Sequence, residues 1–210
     1  MDILYLLGEG CSRCDNNELR YSLRSIEKFG KNVGNIYVAG YCPKWLSKKV
    51  HKVPVKQIYE KPANIIEKHN NMLATILYVV DNTDIGDEFL VSMDDHFYIR
   101  EVDFDNYPIY AKIVAGDDNL KSRTPPNRYG KFIESTKMFL ESLGLPIKFF
   151  TLHRNMHLSR KAISECRDIL DKIIQEKISC EHMAFIINFM YKKTPFKYIP
   201  IKDIKLKDVD

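Results

Sequence analysis

An α/β fold on a mostly parallel sheet follows from three observations on this chain of 210 residues. Short apolar runs alternate with amphipathic stretches through residues 1–100, the pattern that places helices on both faces of a parallel sheet. The first apolar run ends in Gly8-Glu9-Gly10, and the last runs straight into Asp94-Asp95. Residues 101–210 are then mostly helical in pattern, with no repeat and no linker, so the chain reads as one domain, 1–210. A composition of 45% hydrophobic and 29% charged residues, with 9 Gly and 9 Pro, excludes collagen, low-complexity disorder and a disulfide-packed miniprotein.

The elements follow in order. Ile3–Leu7 is a short buried strand. Asp15-Asn16-Asn17-Glu18 has the spacing of a capping box, and the helix behind it lines up Leu19, Leu23 and Ile26 before Gly30 stops it. Asn35–Ala39 is a second strand and Val53–Tyr59 a third. From Asn64 to about Val80, Ile65, Ile66, Met72, Leu73, Ile76, Leu77 and Val80 recur at helical spacing. Glu88–Met93 is the next strand. Residues 117–129 are polar, Pro-containing and basic, a loop. A helix is expected at about 131–143, closed by Gly144 and Pro146, then a strand over 148–152, helices over 160–178 and 181–192, and a last strand in the tail 196–208.

Charge divides the chain. Residues 1–120 carry 14 Lys and Arg against 18 Asp and Glu, and residues 121–210 carry 18 against 10, so a net of −4 precedes a net of +8. That asymmetry suits a phosphate-bearing or nucleic-acid partner, and also a merely solvated basic face. The five cysteines, 11, 14, 42, 166 and 180, are an odd number with no export signal beside them; free thiols and a cytoplasmic setting are expected. Cys11-x-x-Cys14 is half a zinc or redox motif with no second half at the right spacing. No run reaches the roughly 18 apolar residues of a membrane span.

In parallel sheets ligands bind beyond the carboxyl ends of the strands, which is where Gly8–Asp15, Gly40–Lys44 and Asp94–His96 stand. Two carboxylates there suit Mn²⁺ or Mg²⁺ bridging to diphosphate oxygens, although paired acids after a strand also serve as turns and caps. Backbone N–H groups from Gly8 to Ser12 and the start of the first helix suit phosphate. Arg13, Arg20 and Arg24 are cationic partners for it, and a solvated helix face is the other reading of the last two. His153, after an expected strand, is a third metal ligand or a general base; His96 and His157 are weaker candidates. Tyr5, Tyr37, Tyr41 and Trp45 offer stacking surfaces for a base, or core. A dehydrogenase fits poorly: the first turn lacks the third glycine of G-x-G-x-x-G. A P-loop is absent.

Residues 15–28 (DNNELRYSLRSIEK), then Ile36-Tyr37-Val38, Pro43-Lys44-Trp45-Leu46, Met93-Asp94-Asp95-His96-Phe97 and Phe150–Met156 (FTLHRNM) together resemble the ordered sequence blocks of Stealth-type sugar-phosphate transferases of capsule synthesis. Met93 stands where the family often has Asn, and Asn155 where it has Pro. The first strand ends in Gly8-Glu9-Gly10 where the family has an acid. The resemblance spans about residues 3–158. It implies a Rossmann-like, glycosyltransferase A-type domain whose half 1–100 binds donor and metal and whose half 101–210 faces the acceptor. It also implies a nucleotide-sugar donor, UDP-linked in our reading, a Mn²⁺ or Mg²⁺ ion on Asp94, Asp95 and His153, catalysis by Asp95 and His153, and donor contacts from Gly8, Arg13, Arg20, Asn64 and Lys68. Asp203 and Lys205 are tail residues placed to return to such a site. Four functions remain open at this point: sugar transfer to a hydroxyl, sugar-1-phosphate transfer to a capsule or surface glycan, glycosylation of a modified base in phage DNA, and a non-catalytic module that keeps the fold.

Overall fold

Asp2–Leu7 (β1) is apolar along nearly its whole length because both of its faces are covered, and it takes the middle of the central sheet. The computed structural model describes residues 1–8, 12, 15–112, 128–150 and 154–201. After β1 come a helix at Asn17–Phe29 (α1), a short strand at Gly30–Lys31 (β2), Ile36–Gly40 (β3) and His51–Pro54 (β4). Helix Ile65–Asn82 (α2) leads to Glu88–Ser92 (β5), Val102–Asp103 (β6) and Tyr110–Lys112 (β7). The second half holds Arg128–Ser142 (α3), Met156–Ser159 (β8), Arg160–Glu165 (α4), Arg167–Gln175 (α5), His182–Lys193 (α6) and Ile199–Ile201 (β9).

The central sheet has the order β4-β3-β1-β5-β8. Its first four strands are parallel and β8 is antiparallel, so the chain is α/β with a mostly parallel mixed sheet. The parallel order, with β1 inside and the chain crossing over it from β4 to β5, is compatible with a Rossmann-like winding. Two small pairs, β2-β6 and β7-β9, flank it.

The two-residue strand period sorts the core. Ile3, Tyr5 and Leu7 of β1, Val38 of β3 and Leu90 of β5 pack with Leu19 and Ile26 of α1 on one face. Leu4, Tyr37, Ala39, Phe89 and Val91 point the other way, onto Leu73, Ile76, Leu77 and Val80 of α2 and onto the helices of the second half. α1 alone covers the first face among the described helices. The second carries α2 with α5 behind it and α6 reaching to β8.

Three elements differ from expectation. The third strand starts earlier, at His51, and stops at Pro54; exposed His51 and Lys52 mark it as a sheet edge, where polar residues protect against further pairing and hide the strand from a hydrophobicity search. Residues 148–150 form no strand, because Asn188 on α6 takes over their hydrogen bonding: its side chain accepts from the Lys148 N–H and donates to the Lys148 carbonyl, both at 2.9 Å. Phe150 is buried there against Tyr191, Phe196 and Tyr198. The strand falls instead at β8, in the stretch left unassigned between the expected strand and the helix expected from residue 160. The helix expected over 160–178 is divided at Cys166, whose φ of −108° and ψ of 16° leave the α region. No described helix is long and apolar enough to cross a membrane.

Candidate functional site

β1 and β5 are neighbours in register, with Tyr5 opposite Ser92, and they end at Leu7 and Ser92, just before Gly8 and Met93. The parallel winding reverses at this place, since β3 and β4 lie on one side of β1 and β5 on the other. A crevice opens at such a reversal, beyond the carboxyl ends of the strands. Asp94 and Asp95 stand on its β5 side and Gly8 on its β1 side.

The acids are held by a polar lattice beneath them. The buried Tyr5 hydroxyl pairs with Ser22 Oγ of α1 at 2.7 Å. Burial pushes the Tyr5 phenol up to about 12, so it is a neutral donor at physiological pH. Ser92 Oγ donates to Asn155 Oδ1 at 3.0 Å, and the Asn155 amide donates to the Tyr98 hydroxyl. The Tyr98 N–H donates to Ser25 Oγ at 3.0 Å, which ties the loop after the acids back to α1. The loop therefore cannot swing away without breaking buried hydrogen bonds.

Asp94 is half-buried and Asp95 exposed. Burial raises the Asp94 carboxyl above the usual carboxylate range, and the charges of Asp95 and Glu18 raise it further. Glu18 thus belongs to the crevice and not to a capping box. Its carboxylate accepts from Ser12 Oγ at 3.0 and 2.8 Å, while Asn16 is the N-cap in a left-handed conformation with φ of 55° and makes no side-chain cap. Asp15 is left-handed as well, with φ of 53°. α1 accordingly points N–H groups that its N-cap side chain does not satisfy toward the crevice end of the sheet.

Arg20, one turn into α1, is half-buried with its guanidinium 4.5 Å from the centre of the Trp45 ring, whose Nε1 donates to the Asp15 carbonyl at 3.4 Å. Arg24 is exposed. Asn64 and Lys68 are exposed at the start of α2, the helix that packs against β1 and β3. Asn64 is occupied as a helix cap: its Oδ1 accepts from the Glu67 N–H at 3.0 Å, and Glu67 Oε2 accepts in return from the Ala63 N–H at 2.8 Å. Gly8, Asp94 and Asp95 thus follow the ends of two neighbouring strands, with Arg20 near the leading end of α1, while the Asn64 side chain is taken up as the cap of α2. Arg13, His153, Cys11, Cys14, Asp203 and Lys205 lie outside the described residues.

Two clefts flank the crevice. One of about 550 Å³ is lined by Asp95, Tyr98, Tyr107, Tyr110, Arg154 and Asn155 among others. Arg154, exposed and stacked 4.6 Å from the Tyr110 ring centre, is a cation here that sequence reasoning did not assign, although it directly follows His153. His157 is taken up structurally: its Nε2 pairs with the Tyr107 carbonyl at 2.8 Å, and burial lowers its pKa. The other cleft, about 1060 Å³, opens past the ends of β3 and β4, between Gly40–Cys42 and Pro54–Gln57, with Glu60 and Lys61 at its rim.

No protein-family model and no curated protein matches this chain. The site is therefore read from its own geometry.

Proposed function

We propose that this chain is a metal-dependent transferase with a glycosyltransferase A-type architecture that transfers a sugar from a nucleotide-sugar to an acceptor hydroxyl. One observation carries the reading: a half-buried aspartate with a raised pKa shares the reversal point of a parallel sheet with the leading end of α1, whose N-cap side chain makes no cap. A diphosphate with its cation answers both features: the cation meets the acids and the phosphate meets the helix start. The residues fit such an ion. Asp94, Asp95 and Glu18 crowd negative charge that burial makes costly, and a divalent cation at Asp94 and Asp95 would relieve it.

When bound, that cation would neutralise charge on the departing diphosphate. The protein's own groups do the rest. N–H groups at the start of α1 and the Arg20 guanidinium bind phosphate oxygens, and stacking on Trp45 presets the guanidinium so that little side-chain freedom is lost on binding. Tyr5, Ser92 and Asn155 hold the strand end that carries the acids. The Tyr-rich cleft beside Asp95 receives the acceptor, where Arg154 steers an anionic group and Asp95 takes the hydroxyl proton. Transfer of a sugar-1-phosphate would use the same donor site and differ in the bond broken.

The test is a melting experiment with Mn²⁺ and a panel of nucleoside diphosphates, UDP first. Expected is a rise in Tm that needs metal and nucleotide together and disappears in Asp94→Asn and Asp95→Asn. If no nucleoside diphosphate adds to the effect of Mn²⁺ alone, the donor site does not exist and the reading falls.

A further inference from the structure

A second cluster of titratable groups lies within the helical layer, on the opposite face of the sheet from α1. His69 on α2, Glu181 at the N-cap of α6 and His182 at its first position offer ligand atoms that all lie within 4.8 Å of one another. His69 Nδ1 is 3.7 Å from Glu181 Oε1, and the two imidazole rings meet edge to face with centres 5.4 Å apart. Phe132 of α3 closes one side, 4.6 Å from the His69 ring centre. Glu181 is itself fixed, its N–H donating to Thr136 Oγ1 at 2.8 Å and its Oε2 accepting from the Ala184 N–H at 2.7 Å.

His182 is only 1% exposed, yet among the described residues neither of its ring nitrogens has a hydrogen-bond partner, and His69 Nδ1 lacks one too. Among the described residues Asn70 Nδ2, adjacent in sequence to His69, is the one other buried side-chain atom without a partner, whereas buried Asn188, Asn71, Thr75 and Thr136 have their side chains satisfied. Burial lowers the pKa of both histidines, so each is neutral and carries a free lone pair. Two neutral imidazoles, with the Glu181 carboxylate beside them, converge from α2 and the start of α6 in a largely buried seam and form a ligand set for a metal ion. Zinc takes such a set at bond lengths of about 2.0–2.2 Å, which puts tetrahedral ligand atoms about 3.3 Å apart, so a modest inward movement closes it.

We propose that His69, Glu181 and His182 bind one divalent transition-metal ion, zinc by ligand chemistry, which clamps α2 to the start of α6. The site is separate from Asp94 and Asp95 and independent of the transferase reading.

The experiment uses the untagged full chain, stripped with a chelator and titrated with Zn²⁺ alone. Expected are one zinc per chain, a raised Tm, and an X-ray absorption spectrum with two imidazoles in the metal's first shell. Binding is unchanged in the Asp94→Asn/Asp95→Asn double variant and falls about tenfold or more in His69→Gln and in His182→Gln. Zinc affinity that survives both histidine substitutions, or that is lost with the aspartates, overturns the proposal. Should a histidine variant fail to fold, the spectrum of the native chain decides, since a first shell with fewer than two imidazoles overturns it equally.

Discussion

The crevice beyond β1 and β5 and the seam between α2 and α6 both gather ionisable side chains, and they handle them in opposite ways. In the crevice the acids keep contact with water: Asp95 is exposed, Asp94 half-buried, and every element beneath them is hydrogen-bonded. In the seam Glu181 and His182 are shut away from solvent, and imidazole nitrogens are left without partners. A site open to water can exchange ligands and turn over; a dry one is suited to hold a single ion as part of the fold. The same residue types thus point to chemistry in one place and to structure in the other.

The sharpest way to break the contrast is Asp94→Asn. In the crevice it removes a charge that burial disfavours, so the fold does not lose stability and gains some. On the proposed transferase reading, transfer falls on the order of 100-fold or more, the scale seen when a group stabilising developing charge is removed. Measured together, turnover and Tm should move apart. A variant that loses both in parallel would place Asp94 among the structural groups and erase the difference from the seam.

Acidification of the metal-free chain probes the other region. The folded-state pKa of His69 is lowered from 6.5 to about 4, and burial lowers that of His182 as well, so the native protein binds fewer protons than the unfolded chain. Stability is therefore full above about pH 6.5 and is lost as the pH falls below it. For His69 alone the loss reaches about 2 kcal/mol by pH 5, from the proton taken up only on unfolding. His157, lowered by burial as well, acts in the same direction. Asp94 acts in the opposite one, because its raised pKa favours the fold at low pH and withdraws that support as the pH rises. Denaturant titrations between pH 7.5 and 5 on native chain and His69→Gln should show the slope reduced in the variant. Equal slopes would mean that His69 is solvated and that the seam is not dry.

The two regions also differ in how far they can be read from sequence. The crevice is legible because its parts are properties of single segments: an apolar strand ending in Asp94-Asp95, another ending at Gly8, a helix start behind it. Strand-end placement follows from the parallel alternation alone. What was missed there is a matter of local backbone. Glu18 has the spacing of a capping partner, but two left-handed residues, Asp15 and Asn16, turn the helix start so that Ser12 claims its carboxylate. Asn64 was assigned to the donor, yet it spends its oxygen on the end of α2. The seam joins positions 69 and 181–182, which no periodicity connects. Its only trace in the sequence is Glu181-His182 after Cys180 and ahead of an apolar helix. The edge strand β4 was misplaced and the antiparallel β8 went unread, each for a physical reason: a sheet edge tolerates polar residues, and Asn188 rather than a strand satisfies the backbone at Lys148.

The smallest effect concerns Arg20, which stands between the two kinds of behaviour. Its stacking on Trp45 is a partly exposed cation–π contact worth about 0.5–1 kcal/mol, so Arg20→Ala lowers Tm only slightly. Arg20→Lys retains the charge and loses the planar fork that grips two phosphate oxygens at once. If the guanidinium is held over Trp45 for the sake of a diphosphate, both substitutions weaken nucleotide binding well beyond their cost to stability, and lysine recovers only part of it. A loss of binding no greater than the loss of stability would make Arg20 a surface clasp for Trp45, and phosphate recognition would then rest on the leading N–H groups of α1 and on Arg154.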